Sequence, residues 1–363
     1  MADKLGFLVN RPLDKSMSGV NVREVALSHW AADRSATVVA VRTQEFESSR
    51  VARLMAVWRV LASLWRMKKH TVILAYPGFP FFWSLDSVPQ LLRAFVFAFG
   101  CKIVGILRGQ RIVVDIMDLP RFQHVDLHYP VGLPIRLFRF FDLCVFHLST
   151  ELWVCSDAIA RLIKREMLFG SSRVRTVENG TFPSDYDVTT SSGDKPPRVF
   201  VYAGQLHRSR GVGWLIEEFC RCKRSDVELH VCGDGGEWIS DAVSDPRVKY
   251  LGRLNHDECA RAVANGDVGI VYQPRGSYYD IVYPTKLPLY IGRGKPVIAT
   301  DNPELSRAVL AMKVGLVVPA NDIAKTIDGL DAGSLAGFAQ NCAALRESVQ
   351  WYSLYDRALG DEQ

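Results

Sequence analysis

Residues 278–301 read YYDIVYPTKLPLYIGRGKPVIATD, and this stretch decides how the rest of the chain is interpreted. A polar, aromatic loop leads through PTK at 284–286 into a short helical pattern, and a strand pattern follows from Pro296. A lysine at a helix start adds a full charge to the partial positive charge of the helix N-terminus, which suits a diphosphate. An ordinary loop–helix–strand unit with Lys286 in solvent explains the spacing equally well.

Short apolar runs alternate with longer helical patterns throughout the chain. Near-continuous apolar runs are typical of strands buried on both faces of a parallel sheet. The alternation predicts an α/β protein with two doubly wound domains facing a central cleft, in which ligands bind beyond the carboxyl ends of the strands. The predicted strands are 5–10, 36–43, 71–76, 111–118, 152–156 and 173–178 in the first domain, and 198–203, 227–232, 248–251, 268–272, 296–300 and 315–318 in the second.

The length of 363 residues also indicates two domains, since a domain has about 150 residues. The segment 182–197 is rich in Ser, Thr, Asp, Gly and Pro and is predicted to be a linker. We therefore predict a first domain over 1–181, a second over 198–345, and a C-terminal helix over 346–363 that could cross back to the first domain.

The composition is that of a globular protein, with 48% hydrophobic and 23% charged residues. No apolar run reaches about 18 residues, so no transmembrane helix is expected, and the chain begins on a strand pattern without a signal-peptide core. The eight cysteines form no CxxC pair and no metal-ligand spacing, so we expect reduced, mostly buried thiols and no metal site.

The charge is unevenly distributed. Residues 1–180 carry 24 Lys and Arg against 15 Asp and Glu, a net +9, whereas the whole chain carries only +5. A basic first half suggests an anionic surface as partner. Nucleic acid is a weaker candidate because the chain has no recognition-helix, zinc-finger or RRM-like motif.

The segment 50–69 has an unusual helical pattern. An apolar stripe wider than one face is flanked by cations and contains no acidic residue. Tryptophans, cations and excess apolar width favour a helix that lies in a membrane interface, although a helix packed on its own sheet with arginines reaching water also fits. The apolar segment 91–107 is either a buried helix or a second membrane-facing surface. The residues predicted to contact the membrane are Arg53, Trp58, Arg59, Trp65 and Arg66.

Several loops have the composition of a phosphate site. Gly19 lies in the loop after the first strand, and the loop after the strand 198–203 holds Arg208 and Arg210 beside a helix start. Glycine lets a ligand approach the backbone closely, and arginines bind phosphate. A plain strand–helix turn explains Gly19 as well. A second glycine turn, LHVCGDGG at 229–236, also suits a ligand.

Carboxylates and histidines of the first domain are candidates for chemistry. The strand RIVVDIMDL at 111–119 brings Asp115 and Asp118 towards its carboxyl end, where either could act as a base, orient an acceptor hydroxyl or cap the next helix. His124 and His128 lie in an aromatic-rich region that could line an acceptor site or form an exposed loop.

Seven segments, in order and nearly end to end, resemble motifs of the GT-B glycosyltransferases, most closely glycosyltransferase family 4. They are VDIMDL (114–119), LWVCSDAIARL (152–162), VENGTF (177–182), YAGQLHRSRGV (202–212), LHVCGDG (229–235), VKYLGRL (248–254) and PTKLPLYIGRGKPVIAT (284–300).

The resemblance implies two Rossmann-like domains: an acceptor-binding first domain and a second domain that binds a nucleotide diphosphate sugar. Arg210 takes the place of the family's phosphate-binding lysine, Lys286 matches a second diphosphate contact, and Gly19 approaches the diphosphate from the first domain. We list both cations with Asp115 and Asp118 as the catalytic candidates. The other implied donor-binding positions are Gly204, Gln205, Arg208, Gly233, Arg253, Asp280, Tyr283, Thr285, Leu289 and Glu304.

The chain departs from the family at three positions. Gln205 stands where relatives often have an arginine, Leu289 where they have the glutamate that binds the ribose, and Met117 where many have a histidine. Asp280 could supply the missing carboxylate and Arg208 the missing guanidinium. The family retains configuration at the sugar, whereas a base at Asp115 or Asp118 would fit an inverting relative.

The resulting hypothesis is a hexosyltransferase of cell-surface polysaccharide or glycoconjugate synthesis. The acceptor would be a lipid-linked or saccharide molecule. The enzyme would be cytoplasmic and peripheral, bound at the inner face of the cell membrane, and it would need no metal or other cofactor. The competing hypothesis is a degenerate, non-catalytic GT-B protein that acts as a binding or assembly partner. A GT-B epimerase or phosphorylase matches the residues less well.

Overall fold

In this computed structural model, residues 4–9, 22–40, 50–68, 70–76, 88–127, 135–167, 173–183 and 195–360 are described. The chain divides into two compact units. The first consists of Met1–Lys15 and Arg23–Glu178, and the second is mainly Asn179–Gln363. Most of the predicted linker 182–197, together with Gly19 and His128, lies outside the described residues.

The first domain has a six-stranded parallel sheet in the order β2-β1-β3-β4-β5-β6. Its central strand β3 is buried almost throughout, as its apolar sequence HTVILAY predicts. The elements are β1 (Lys4–Val9), α1 (Val22–Asp33), β2 (Thr37–Ala40), α2 (Arg50–Arg66), β3 (His70–Tyr76), α3 (Val88–Arg108), β4 (Arg111–Ile116), α4 (Pro120–Leu127), α5 (Ile135–Leu148), β5 (Glu151–Val154), α6 (Asp157–Glu166) and β6 (Arg173–Thr176).

The second domain repeats this plan with the strand order β12-β11-β10-β7-β8-β9, again all parallel. Its elements are β7 (Val199–Ala203), α7 (Val212–Cys220), β8 (Glu228–Cys232), α8 (Glu237–Ala242), β9 (Val248–Tyr250), α9 (His256–Asn265), β10 (Val268–Val271), α10 (Lys286–Gly292), β11 (Val297–Thr300), α11 (Pro303–Met312), β12 (Gly315–Val318), α12 (Ile323–Asp328), α13 (Ala336–Leu345) and α14 (Trp351–Gly360).

Successive residues of the second sheet serve two cores. Phe200 and Tyr202 of β7 face one apolar cluster, and Val201 and Ala203 face the other. This alternation follows from the period of two along a strand, and it means that helices cover both faces of the sheet. Parallel strands end at the same edge, so the loops after β7 and β8 and the start of α10 come together there.

The C-terminal segment packs within the second unit. The Thr181 N–H donates to the Val349 carbonyl and the Trp351 N–H donates to the Thr181 carbonyl, both at 3.0 Å. Gly180 is required at this contact, because a Cβ there would lie 2.8 Å from a methyl carbon of Leu354. The helix α14 therefore contacts the residues with which the second unit begins.

All twelve predicted strands are confirmed, each within about two residues of its predicted ends where the chain is described. The predicted helix over 50–69 is present as α2, and the apolar segment 91–107 lies within α3. None of the helices among the described residues is long and apolar enough to cross a bilayer. The eight cysteines all lie among the described residues; none of them is in a disulfide bond, and five are buried.

Candidate functional site

Two glycines end neighbouring strands of the second sheet. Gly204 follows β7 with φ 149° and Gly233 follows β8 with φ 143°, in the region that favours glycine. A Cβ on Gly233 would lie only 1.7 Å from the Gly204 carbonyl oxygen. The Gly204 N–H donates to the Cys232 carbonyl at 2.9 Å, so the two strand ends stay side by side. The close packing of these two strand ends therefore requires glycine at position 233.

Lys286, the first residue of α10, places its ammonium group against this backbone. A Cβ on Gly204 would lie 3.3 Å from the lysine Nζ, and Nζ lies 3.7 Å from the centre of the Tyr202 ring. Among the described residues, no carboxylate forms an ion pair with Lys286. Burial, and then the positive charge of Arg210, lower the pKa of Lys286 from 10.5 to about 7. The Tyr202 ring face offers this amine a weak cation site, but not a counter-charge.

Tyr290 holds the lysine-bearing helix in place. Its hydroxyl oxygen accepts from the Ala203 N–H at 2.9 Å, and the hydroxyl lies within 3.2 Å of the Val201 and Ile270 carbonyls. Gly269 makes room for the ring, since a Cβ there would come within 2.4 Å of it. Tyr290 lies one helical turn after Lys286, so this buried contact joins the start of α10 to β7 and β10.

A short 3-10 turn at Arg208–Arg210 brings two cations to the same edge. Gly211 ends the turn with φ 74° and precedes α7. The Arg208 guanidinium stacks over the Trp238 ring at 4.4 Å, and the Trp238 indole N–H donates to the Leu206 carbonyl at 2.8 Å. Arg208 is thereby directed along the loop surface. Arg210 is half-buried, and its charge acts on Lys286 and Tyr202.

Two thiols lie near Lys286. The Sγ atoms of Cys232 and Cys259 are 3.9 Å apart. The hydrogen bond with Cys259, followed by burial, raises the pKa of the Cys232 thiol. Burial is the largest influence on the pKa of Lys286, and the two thiols oppose it.

The carboxylates proposed for the donor are engaged elsewhere. Both oxygens of Asp280 accept from Arg275, at 2.9 and 3.0 Å, and Oδ1 also accepts from the Asn302 amide at 3.1 Å. Glu304 is buried and pairs with Arg307 at 2.6 Å. Each carboxylate already has a cationic partner within its own domain, so each would have to exchange that partner to bind a ribose. Their roles in donor binding remain predictions.

The other predicted donor positions lie along the same loops. Leu289 is half-buried and packs against the apolar core beside α10, where it presents no hydrogen-bonding group. Tyr283 is buried, and its carbonyl accepts from the Asn179 side-chain amide at 2.6 Å. Gln205 is half-buried, whereas Thr285 and Arg253 are exposed, and Arg253 lies 3.8 Å from Asp234.

The structure argues against Asp115 as a catalytic base. Asp115 is fully buried, and the Arg23 guanidinium donates to both of its oxygens, at 2.6 Å to Oδ1 and 3.0 Å to Oδ2. Arg23 also donates to the Val177 and Glu178 carbonyls, at 2.8 and 3.1 Å. Both oxygens of this carboxylate are engaged in a buried ion pair, so Asp115 has the contacts of a structural residue.

The remaining first-domain candidates are less tightly placed. Asp118 is half-buried just beyond the end of β4, so it stays a candidate for binding or catalysis. His124 lies in α4, and the structure does not describe its side chain. On α2, Arg53 is part of the helix, and the side chains of Trp58, Arg59, Trp65 and Arg66 are exposed.

Sequence reasoning missed two residues that position the site. Tyr202 provides the ring under the lysine amine, and Tyr290 anchors its helix. Tyr202 stands directly before the AG pair at the end of a predicted strand, and this position could have indicated that it lies at the site. Nothing in the one-dimensional pattern distinguishes Tyr290 from an ordinary core aromatic residue, because its hydroxyl partners belong to strands 20 and 89 residues away.

Comparison with known proteins agrees with this geometry. Residues 197–332 match the sequence model of the family described as "Glycosyl transferases group 1". The chain is 22% identical over 247 residues to TuaH of Bacillus subtilis strain 168, which is named as a teichuronic acid biosynthesis glycosyltransferase. That alignment covers 64% of this chain and 55% of TuaH, so the chain spans about half the length of the curated relative it matches.

Solved structures match nearly the whole chain. Sucrose-phosphate synthase from Thermosynechococcus elongatus has a TM-score of 0.64 at 15% identity, covering 99% of this chain and 98% of its own. The HepE protein of Anabaena, in complex with UDP-glucose, has a TM-score of 0.62 at 14% identity, with coverage of 99% and 98%. The fold is that of GT-B glycosyltransferases.

Proposed function

We propose that this protein is a glycosyltransferase that moves a hexose-type sugar from a nucleotide diphosphate sugar to an acceptor in polysaccharide synthesis. The observation that carries the proposal is Lys286, a partly buried amine without a carboxylate partner among the described residues, placed against the bare backbone of Gly204. The name of TuaH and the UDP-glucose bound by HepE support this reading by similarity.

The arrangement suits stabilisation of a leaving group. When the bond between the sugar carbon and the diphosphate oxygen breaks, negative charge builds up on the diphosphate and positive charge on the sugar ring. Arg210 and Lys286 would hold the diphosphate and lower the energy of that charge separation, because positioned charges act strongly where water is excluded. Both cations follow the sheet edge at which β7 and β8 end, so the phosphates would meet them together.

We further propose that the reaction retains configuration. Inversion requires a base that removes the acceptor proton, and Arg23 holds Asp115 on both oxygens. Asp118 is the remaining carboxylate of the pair predicted from the sequence. We expect Asp118 to orient the acceptor, and inversion at the sugar carbon in a product analysis would contradict this assignment.

The acceptor and the cellular site are proposals of the same kind. We expect a lipid-linked or saccharide acceptor, bound at the cytoplasmic face of the cell membrane by the basic first domain. We also expect transfer without a metal ion, since Arg210 and Lys286 supply positive charge to the diphosphate. Undiminished transfer in the presence of EDTA would support this, and loss that Mg²⁺ or Mn²⁺ restores would contradict it.

The test is donor binding followed by transfer. Calorimetry with a panel of UDP-, GDP- and ADP-sugars identifies the donor, and Lys286→Ala and Arg210→Ala should each lower transfer from it by about 100-fold or more. Lys249→Ala and Arg221→Ala change exposed cations of the same domain and should leave transfer intact. Binding to no nucleotide sugar would favour the degenerate, non-catalytic alternative, and normal transfer by both site variants would refute the assignment.

A further inference from the structure

The helix α3 has an apolar stripe that faces away from the protein. Val96, Phe99, Ile103, Ile106 and Leu107 follow the spacing of one helical face, and each is at least 42% exposed. The opposite face of the same helix, at Phe97, Ala98 and Cys101, is buried. The side chains of the exposed stripe therefore do not pack in the core of the domain.

The neighbouring helix α2 has a similar outer face. Trp58 is 75% exposed and Met55 is 60% exposed, while Val60 and Leu64 of the same helix are fully buried. Single exposed apolar residues are ordinary, but two adjacent helices with outward apolar stripes form an extended patch. We call these two outer faces together the α2–α3 surface.

The two helices are in contact in their C-terminal halves. A Cβ on Gly100 of α3 would lie 3.6 Å from a methyl carbon of Leu61 of α2. Nearer the C-terminal ends, the Arg108 guanidinium of α3 stacks over the Trp65 ring of α2 at 4.9 Å. The helices therefore run side by side in the same direction, and Trp65, itself 49% exposed, adjoins the stripe of α3.

The charges on these helices all have one sign. Neither α2 nor α3 contains an aspartate or glutamate. The side chains of Arg59 and Arg66 are exposed, and Arg108 is half-buried over the Trp65 ring. Lys102 is half-buried and lines a small cavity against β3, β4 and α5. The cations of the two helices are Arg50, Arg53, Arg59, Arg66, Arg93, Lys102 and Arg108.

We propose that the α2–α3 surface docks on an anionic lipid bilayer. Tryptophan and aliphatic side chains would enter the interface, while Arg59 and Arg66 would contact the lipid phosphates. A second copy of this chain is a poor occupant, because it would oppose the exposed Arg59 and Arg66 with the same two arginines. Neither helix can span the bilayer, so the surface would lie on the membrane.

This inference rests on the proposed membrane-face function and specifies the surface and the lipid chemistry involved. Vesicle binding requires no sugar donor, so it can fail or succeed independently of transfer. Nucleotide-sugar calorimetry on the same preparations reports the transferase proposal separately.

The experiment is co-sedimentation of the full chain with vesicles of phosphatidylglycerol and phosphatidylcholine, compared with pure phosphatidylcholine. We expect binding to the anionic vesicles that weakens as salt is raised, because charges on the bilayer surface are screened. Ile106→Glu combined with Leu107→Glu should lower binding at least about tenfold. Arg59→Glu combined with Arg66→Glu should lower it about fivefold for each arginine.

Matched control variants are available in the second domain. Leu310→Glu changes another exposed leucine, and Lys249→Glu changes another exposed cation, so both should bind vesicles like the unchanged protein. An unchanged circular dichroism spectrum and unchanged nucleotide-sugar binding show that each variant is folded. Equal binding to neutral vesicles, no vesicle binding at all, or unchanged binding by both double variants would overturn the proposal. If analytical sedimentation shows a dimer and Leu107→Glu dissociates that dimer, the surface binds a second copy of the chain, and the proposal of lipid docking is overturned.

Discussion

Donor binding should be linked to protonation of Lys286. The amine has a pKa lowered to about 7 by burial and by Arg210, so near neutral pH much of it is uncharged in the free protein. A diphosphate binds the charged form better and therefore raises this pKa. Because the charged fraction falls as the pH rises through 7, the affinity for the donor should fall in the same direction.

The size of the effect follows from the charged fraction. A group with a pKa of about 7 is about 90% protonated at pH 6 and about 10% protonated at pH 8. The apparent Kd is the intrinsic Kd divided by the competent fraction, so it should rise about tenfold between these pH values. Lys286→Met should weaken binding at pH 6 by about 10- to 100-fold, since bonds to charged groups contribute about 1.5–3 kcal/mol, and should abolish this pH dependence.

The assay is titration calorimetry with a nucleotide diphosphate sugar, whose diphosphate is esterified at both ends and does not titrate in this range. Repeating it in buffers of different ionisation enthalpy counts protons, and we expect uptake of about 0.9 proton at pH 8 and about 0.1 at pH 6. His207→Ala removes the imidazole that lies against Gly235 and should leave the uptake unchanged. Equal Kd values and no uptake at either pH would refute the reasoning, as would full uptake by Lys286→Met.

Three further predictions concern stability, measured by urea unfolding. Asp115→Asn should lower the unfolding free energy by about 3–5 kcal/mol, because it leaves the buried Arg23 charge without its partner; a loss below 1 kcal/mol would show that the pair is not structural. Tyr290→Phe should lower the unfolding free energy by about 1–3 kcal/mol, because the backbone groups that bond to the Tyr290 hydroxyl would lose this partner. An unchanged unfolding free energy would contradict that contact. Burial raises the pKa of Asp142 to about 7, so the folded state binds more protons than the unfolded state between about pH 4 and 7. The contribution of Asp142 to the unfolding free energy should therefore fall as the pH rises through that window, and this decline should be absent in Asp142→Asn. An identical pH profile for the variant would contradict the prediction.

The fold could be predicted from the sequence because its signals are local. Runs such as IVV in β4 or VIA in β11 are apolar on consecutive residues, which is typical of strands buried on both faces. The glycines at 204 and 233 were also visible, and the structure shows why they are needed: a Cβ on the second would overlap the carbonyl of the first.

The candidate site could be predicted only in part. Lys286, Arg208 and Arg210 were identified because their loops combine cations with glycine and helix starts. Asp115 resembled a catalytic residue at a strand end, yet its partner Arg23 lies 92 residues earlier. No local pattern indicates which of two buried charges will meet, so the sequence could not distinguish a base from half of an ion pair.

The sequence by itself determined the strand and helix order, the parallel sheets and the excess of cations in the first half, because these depend on the spacing of apolar and charged residues along the chain. Only the tertiary structure decided which side chains meet: Tyr202 under Lys286, Tyr290 against the end of β7, and the stripes of α2 and α3 on one outer surface. The physical reason is that the pKa, hydrogen bonding and exposure of a side chain depend on its neighbours in space, and here those neighbours are often 40 to 90 residues away in sequence.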